Sequence, residues 1–319
     1  MMALGLVQFV IGRRHLLGQG EPPVPLAART EAMIYAGGAL LAVAVWQVLQ
    51  TRINLGPLSS LVGGHEVTLT ELVAVVLGTG LYIWFIKLLL SGISAAEKGR
   101  MVMLMVLITV SALFWGLYEQ TYGPWVALAD RGMDLSLGFG ISINAAQTAG
   151  IGAFWVIALA PVFAWLWPRL DKRGLNPSYP AKFAWALVLC GLAFAVLAWA
   201  TANPSVDSGK VSLWWMVLAY LVLVMGEMAL SPIGLSAVTS LSIPRAVGLM
   251  MGAWFLFSAF GEIIAGRLGT WAAIPHDASP EMALATYSNV FTTMMWIGLA
   301  AGAALFVVTP LLKRLTREG

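Results

Sequence analysis

The sequence predicts an all-α polytopic membrane protein, and three observations carry that reading. Of 319 residues, 60% are hydrophobic and 10% are charged, against roughly 25% charged in soluble domains. Mean hydropathy is +0.85, with apolar runs of about 20 residues along the whole length, enough for a helix to cross a bilayer. These runs lack the strict alternation of a barrel strand, so each span must satisfy its own backbone as a helix. Soluble enzymes, disordered scaffolds and nucleic-acid binders are excluded on the same grounds. The pI of 9.1 does not reopen the last, because the basic residues sit in short loops between apolar runs.

Taken in chain order, residues 1–12 are apolar with neither a leading charge nor a small-residue cleavage site, and they resemble the tail of a span. Eight full spans follow at about 31–50, 70–93, 101–122, 142–168, 182–203, 212–240, 246–271 and 285–312. Loops are marked by Gly18 to Pro25, Gly56-Pro57, Gly174 to Pro180 and Ile274 to Pro280. Cys190 is alone in an apolar run, so no disulfide can form within the chain and a buried thiol is expected.

Basic residues set the orientation. With the Arg13-Arg14 end inside, the inside segments hold Arg13, Arg14, Arg29, Lys98, Arg100, Arg169, Lys172, Arg173, Lys182, Arg245, Lys313, Arg314 and Arg317. The outside holds Arg52, Arg131, Lys210 and Arg267, and Lys87 lies in a span near its inner end. The expectation is a multi-pass inner-membrane protein with a cytoplasmic C-terminus.

Polar groups at membrane depth are costly and therefore informative. Three acids fall inside spans: Glu119, Glu227 and Glu262. Low dielectric disfavours a charged carboxylate, so such groups suit proton binding or the binding of a substrate ammonium. Glu227 and Ser231 are four apart, on one helix face, and Pro232 removes a backbone donor beside them. That stripe reads either as an amine-binding site or as a polar helix-packing contact. Glu119 follows Trp115 by one turn, as part of a site or of an interfacial aromatic belt. Glu262 reads as structural, pairing with Arg267 or reaching water; Trp254, eight residues earlier, lines a cavity or packs. Asn144 and Gln147, three apart, offer amides to a substrate or to neighbouring helices. His15, His65 and His276 are scattered in loops, so no metal site, no Ser/His/Asp set and no nucleotide-binding loop is supported. An intramembrane hydrolase would need a nucleophile–base pair that the sequence lacks.

From Phe114 to about Gly269 the chain resembles the proton-dependent oligopeptide transporters of the major facilitator superfamily. The resemblance is carried by Phe114-Trp115 with Glu119-Gln120, Leu159-Ala160-Pro161 with Trp165-Leu166-Trp167, the run Gly226 to Ser236, and the run Val247 to Leu256. It implies a C-terminal six-helix bundle (101–319), preceded by an inserted transmembrane helix pair (31–100) and by the end of a preceding helix with a cytoplasmic linker (1–30). The first five helices of the family and most of the sixth are then missing, together with the ExxER motif and the basic residues for the peptide carboxylate. The chain is accordingly expected to be a C-terminal fragment lacking the N-terminal bundle.

By the same resemblance, Glu227 matches the acid holding the peptide amino terminus and Ser231 its neighbour. Glu119 matches the seventh-helix acid of proton coupling, and Trp115 and Trp254 match pocket-lining tryptophans. Gln147 matches the glutamine before an eighth-helix asparagine, with Asn144 nearby. Gly150 stands where that asparagine would be, and Glu262 where asparagine is more frequent. The implied activity is proton-coupled symport of di- and tripeptides by alternating access, with the proton gradient as energy source, no cofactor, no metal and no enzymatic step. Implied partners are peptides, protons, the lipid bilayer and the N-terminal bundle, with no nucleic acid; homo-oligomerisation is left open. The alternatives are a major-facilitator carrier of another solute and a transport-inactive partial gene product.

Overall fold

A computed structural model describes residues 2–12, 15, 26–53, 67–138, 140–275 and 277–316. Arg13, Arg14, His65, His276, Arg317 and the turn residues of the 18–25 and 56–57 loops lie outside the described residues. The chain divides into two compact units, Met1–Val73 and Ala74–Gly319.

The first unit contains α1 (Met2–Gly12), α2 (Ala28–Gln50) and a two-stranded antiparallel pair, β1 (Arg52–Ile53) with β2 (Val67–Thr68). Helix α2 is closed by Thr51, whose hydroxyl donates to the Gln47 carbonyl at 2.7 Å. Thr68 and Glu71 cap the next helix, α3 (Leu69–Leu90), reciprocally: the Thr68 amide donates to Glu71 Oε2 and the Glu71 amide to Thr68 Oγ1. The division between the units falls inside α3, within the 31–100 segment of the sequence reading.

The second unit contains the rest of α3 and α4 (Ala95–Tyr118), α5 (Pro124–Gly132), α6 (Ala149–Lys172), α7 (Tyr179–Ala202), α8 (Leu213–Leu241), α9 (Val247–Gly269) and α10 (Pro280–Leu315). Two short pairings tie the loops: β3 (Met133–Asp134) runs parallel to β6 (Val211–Ser212), and β4 (Ser136–Gly138) antiparallel to β5 (Ile141–Ser142). Among the described residues eight helical stretches are long and apolar enough to cross a membrane, in the order and close to the places that the apolar runs predict.

Three boundaries differ from the expectation. The span placed at 142–168 starts as a helix only at Ala149, because Ser142 is in a strand, Asn144 is a cap and Ala145–Thr148 form a 3-10 turn. The 101–122 span ends in a 3-10 turn at Glu119–Tyr122 and restarts as α5 after Gly123, with Pro124 at its first position. Helix α10 begins at Pro280, five residues before the apolar run, because Ser279 caps it through the Met282 amide.

Helices pack where glycine removes a side chain. The most extensive helix pairing among the described residues, α7 with α10, has Gly191 opposite Gly298, and a methyl group at Gly302 would meet Val188 Cγ2 at 2.6 Å and the Ala184 carbonyl at 2.9 Å. Helices α4 and α9 approach at Gly116 and Gly261, the latter lying against Trp115 Cβ. From Ala74 onward, α3 buries Ala74, Gly78, Leu81, Phe85 and Leu88 as one stripe. Its Gly78 faces Phe260 of α9, and its Tyr82 hydroxyl shares a 2.7 Å hydrogen bond with Thr109 of α4. Cys190 is fully buried, as expected.

Candidate functional site: an acidic cavity between α6 and α8

Helix α8 stays helical through Pro232. Because proline has no N–H, the backbone bond it would make one turn earlier is absent. Glu227 and Ser231 lie on the same side of that loosened turn. Both line a cavity of about 420 Å³ whose opposite wall is Ala160, Phe163, Ala164 and Trp167 of α6. Glu227 is half-buried, and its Oε2 is buried with no hydrogen-bond partner among the described residues. A carboxylate oxygen left unpaired in an apolar wall is a destabilising arrangement unless a ligand or proton satisfies it.

Tyr118, the last residue of α4, interacts through its side chain with the Glu227 carboxyl. It also lines a second cavity of about 350 Å³, bounded by Tyr122, Tyr220, Gly152 and Ala153. The Tyr118–Glu227 pair therefore stands between two cavities, both walled by α6 and α8. Glu119 follows in the 3-10 turn, half-buried and within electrostatic reach of Glu262 and of Glu227. Glu119, in the turn after α4, thus links electrostatically to the other two acids that the sequence places at membrane depth, which come from α8 and α9.

Other predicted site residues are placed differently. Trp115 packs edge-on to Phe114 and Tyr118, with ring centroids 5.6 and 5.4 Å apart, and its Nε1 is buried without a partner among the described residues. Trp254 is 3% exposed, stands edge-on to Phe183 at 6.2 Å and covers Gly234 of α8. It belongs to the packed core and does not line the Glu227 cavity. Asn144 and Gln147 are engaged with each other: Asn144 Oδ1 accepts from the Gln147 amide and Gln147 Oε1 from the Asn144 amide, both at 2.9 Å. Both are exposed, and together they form a reciprocal cap ahead of α6. Gly150 faces open space, so nothing fills the place of an asparagine side chain there. Glu262 is exposed.

Three residues to which the sequence reading gave no site role belong to the site or hold it. Tyr118 touches Glu227 only through the meeting of α4 and α8, which no local spacing reveals. Trp167 was noted as part of a motif but not as a cavity wall. Gln120, 1% exposed, donates from Nε2 to the Gly116 carbonyl at 2.8 Å and to the Ala265 carbonyl of α9 at 3.1 Å, which fixes the turn carrying Glu119 against α9. A buried glutamine beside a glutamate in an apolar run was the available signal.

These features define a polytopic helical membrane protein with an acidic cavity between two of its spans. Residues 1–284 match the POT family model, and the chain belongs to that family. It is 30% identical over 323 residues to the dipeptide and tripeptide permease A of Edwardsiella piscicida, covering 99% of this chain and 61% of that protein. It is similar to the crystal structure of the peptide transporter POT in complex with sulfate, with a TM-score of 0.70, 31% identity and coverage of 98% of this chain and 60% of that one. A likeness in fold extends to tetrameric PepTSo2, with a TM-score of 0.75 at 22% identity, covering 98% of this chain and 61% of that one. The helices adopt the major-facilitator arrangement of those structures. The chain spans about 60% of the length of the relatives it matches.

Proposed function

We propose that this chain is the C-terminal portion of a proton-coupled symporter of di- and tripeptides. The observation that carries the reading is the unpaired Oε2 of Glu227, whose side chain lines the cavity between α6 and α8 beside Ser231. An ionised Glu227 binds the peptide ammonium, and the Ser231 hydroxyl offers a second polar contact one turn away. Glu119, electrostatically linked to both Glu227 and Glu262, exchanges protons with that site. Movement of charge between the two acids couples occupancy to protonation, and alternating access of two bundles completes the cycle. The peptide carboxylate is held by basic residues of the N-terminal bundle, which the resemblance places ahead of these residues. The protein sits in the inner membrane with its C-terminus in the cytoplasm.

The reading is supported by family membership and by relatives named as dipeptide and tripeptide permeases. A carrier of organic anions is disfavoured by the same carboxylate, because like charges repel strongly at low dielectric. The test is Glu227→Gln in the full-length transporter. Binding of peptides with a free amine should fall at least tenfold, since truncating one partner of a buried charge pair costs about 2–5 kcal/mol. N-acetylated peptides, which lack the ammonium, should be little affected. Equal loss for both would reassign Glu227 to helix packing.

A further inference from the structure

A second cavity, of about 810 Å³, opens where the start of α4, the end of α6, the start of α7 and the end of α10 meet. Its charged lining is Arg100, Lys182 and Lys313 against the single carboxylate of Asp171. That carboxylate is engaged in its own loop, with Oδ1 accepting from Asn176 Nδ2 at 3.0 Å. Glu97, one turn before Arg100, attracts it electrostatically, but Glu97 Oε2 already accepts from the Ser94 amide and hydroxyl at 2.9 Å each.

Lys182 is 5% exposed, and its ammonium stands 4.2 Å from the centroid of the Trp167 ring. A cation–π contact lowers the cost of a buried ammonium without neutralising it. Two atoms of the lining are buried with no hydrogen-bond partner among the described residues: Arg100 Nε and Trp167 Nε1. Both are N–H donors, on different helices. The lining thus sets three cations against the one carboxylate of Asp171, which also acts electrostatically on Lys182, and leaves two N–H donors unmet.

We infer that this cavity binds a phosphate-bearing anion, either the headgroup of an anionic phospholipid or free inorganic phosphate. A tetrahedral phosphate offers several acceptor oxygens and can meet donors from α4, α6, α7 and α10 at once, which a single carboxylate does less well. The cavity is also larger than a lone phosphate needs, and Met103, Ile233 and Leu241 give it an apolar side suited to the glycerol and first acyl carbons of a lipid. It lies at the end of the bundle that the proposed orientation puts in the cytoplasm, where anionic headgroups attract basic segments. The site is separate from Glu227, although Trp167 and Ile233 form a wall common to both cavities.

The test uses the 319-residue chain, purified and delipidated in a neutral detergent. Short-chain phosphatidylglycerol, phosphatidylcholine, inorganic phosphate and dialanine are added separately, with bound adducts read by native mass spectrometry and stability by the thermal midpoint. A lipid site retains phosphatidylglycerol at least tenfold better than phosphatidylcholine; a free-anion site instead binds inorganic phosphate and shows no lipid preference. In either case Arg100→Gln should weaken binding about tenfold and Arg100→Lys much less. Lys313 is exposed, so Lys313→Gln keeps the fold and should weaken binding about threefold. Binding of neither phosphatidylglycerol nor phosphate, or binding unchanged by both R100Q and K313Q, overturns the inference. Displacement by dialanine at equal concentration also overturns it, by making the cavity part of a peptide route.

Discussion

Glu227 and Ser231 face a gap between α8 at Pro232 and Ala160, Phe163, Ala164 and Trp167 of α6, while the residues around them on α8 are packed. Met228, Ala229 and Leu230 are all buried, so turning α8 to cover Glu227 would expose apolar core. The carboxylate is held in place by packing, and its Oε2 is left without a partner among the described residues. Asn144 and Gln147 present the opposite case, with both side-chain carbonyl oxygens already used on backbone amides. Asn144→Ala should therefore cost about 1 kcal/mol of stability, the usual cost of a lost N-cap. It should leave the ratio of free-amine to N-acetylated peptide binding unchanged in the full-length transporter. A shift in that ratio would move Asn144 into the binding site. Glu227 and Ser231 were legible in the sequence because two polar groups at i, i+4 stand out in an apolar run. Asn144 and Gln147 were not resolved, since i, i+3 amides look the same as a cap and as a ligand pair. Trp254 was ambiguous for a similar reason: its partner, Gly234 of α8, lies on another helix, and no spacing along α9 points to it.

At the scale of elements, hydropathy reads the number and order of spans well, because the bilayer demands both length and apolarity. It reads helix ends poorly, because ends are set by capping: Ser279 starts α10 before its apolar run, and the Asn144-capped 3-10 turn delays α6 until Ala149, inside its run. Pairing between helices is also hidden from hydropathy, and here glycine carries it. Gly298 and Gly302 are four apart on α10 and bring that helix onto α7 at Gly191, Ala184 and Val188. Gly302→Ala would push a methyl group to 2.9 Å from the Ala184 carbonyl and 3.0 Å from the Val188 amide nitrogen, backbone atoms that cannot rotate away. A destabilisation of about 1–3 kcal/mol is expected, as for other overpacked cores. Gly252 on α9 has nothing within 4 Å of a new methyl group. Gly252→Ala should stabilise by up to about 1 kcal/mol through helix propensity alone. Thermal midpoints of the two variants in one detergent should move in opposite directions, and a common shift would mean that close glycine contacts do not govern the α7–α10 pairing.

For the whole molecule, orientation is the property on which the proposed mechanism depends, because proton flow and peptide flow must run toward one side. Charge counting assigns Arg100, Lys182 and Lys313 to one side and Arg131 and Lys210 to the other. Within the second unit the structure groups them in the same way: the first three line the cavity at the Lys313 end of α10, and the last two line another of about 630 Å³ at its Pro280 end. Helix α10 joins these two ends and is 36 residues long, roughly 54 Å at 1.5 Å per residue, more than a hydrocarbon core of about 30 Å. The two basic groups thus lie at opposite ends of a helix long enough to cross the membrane, and the proposed topology puts them on opposite faces. The grouping itself does not say which face is cytoplasmic; that follows from the larger basic content of the segments at the Lys313 end. A reporter active only in the cytoplasm, fused after Gly319, should be active. The same reporter inserted between Asp207 and Gly209, in the turn leading to Lys210, should be inactive, and a periplasmic reporter there should be active. The reverse pattern at both positions would invert the proton and peptide directions assigned to Glu119 and Glu227. Cytoplasmic activity at both would break the odd number of crossings, α8, α9 and α10, that separates them, and with it the side assignments of the two cavities.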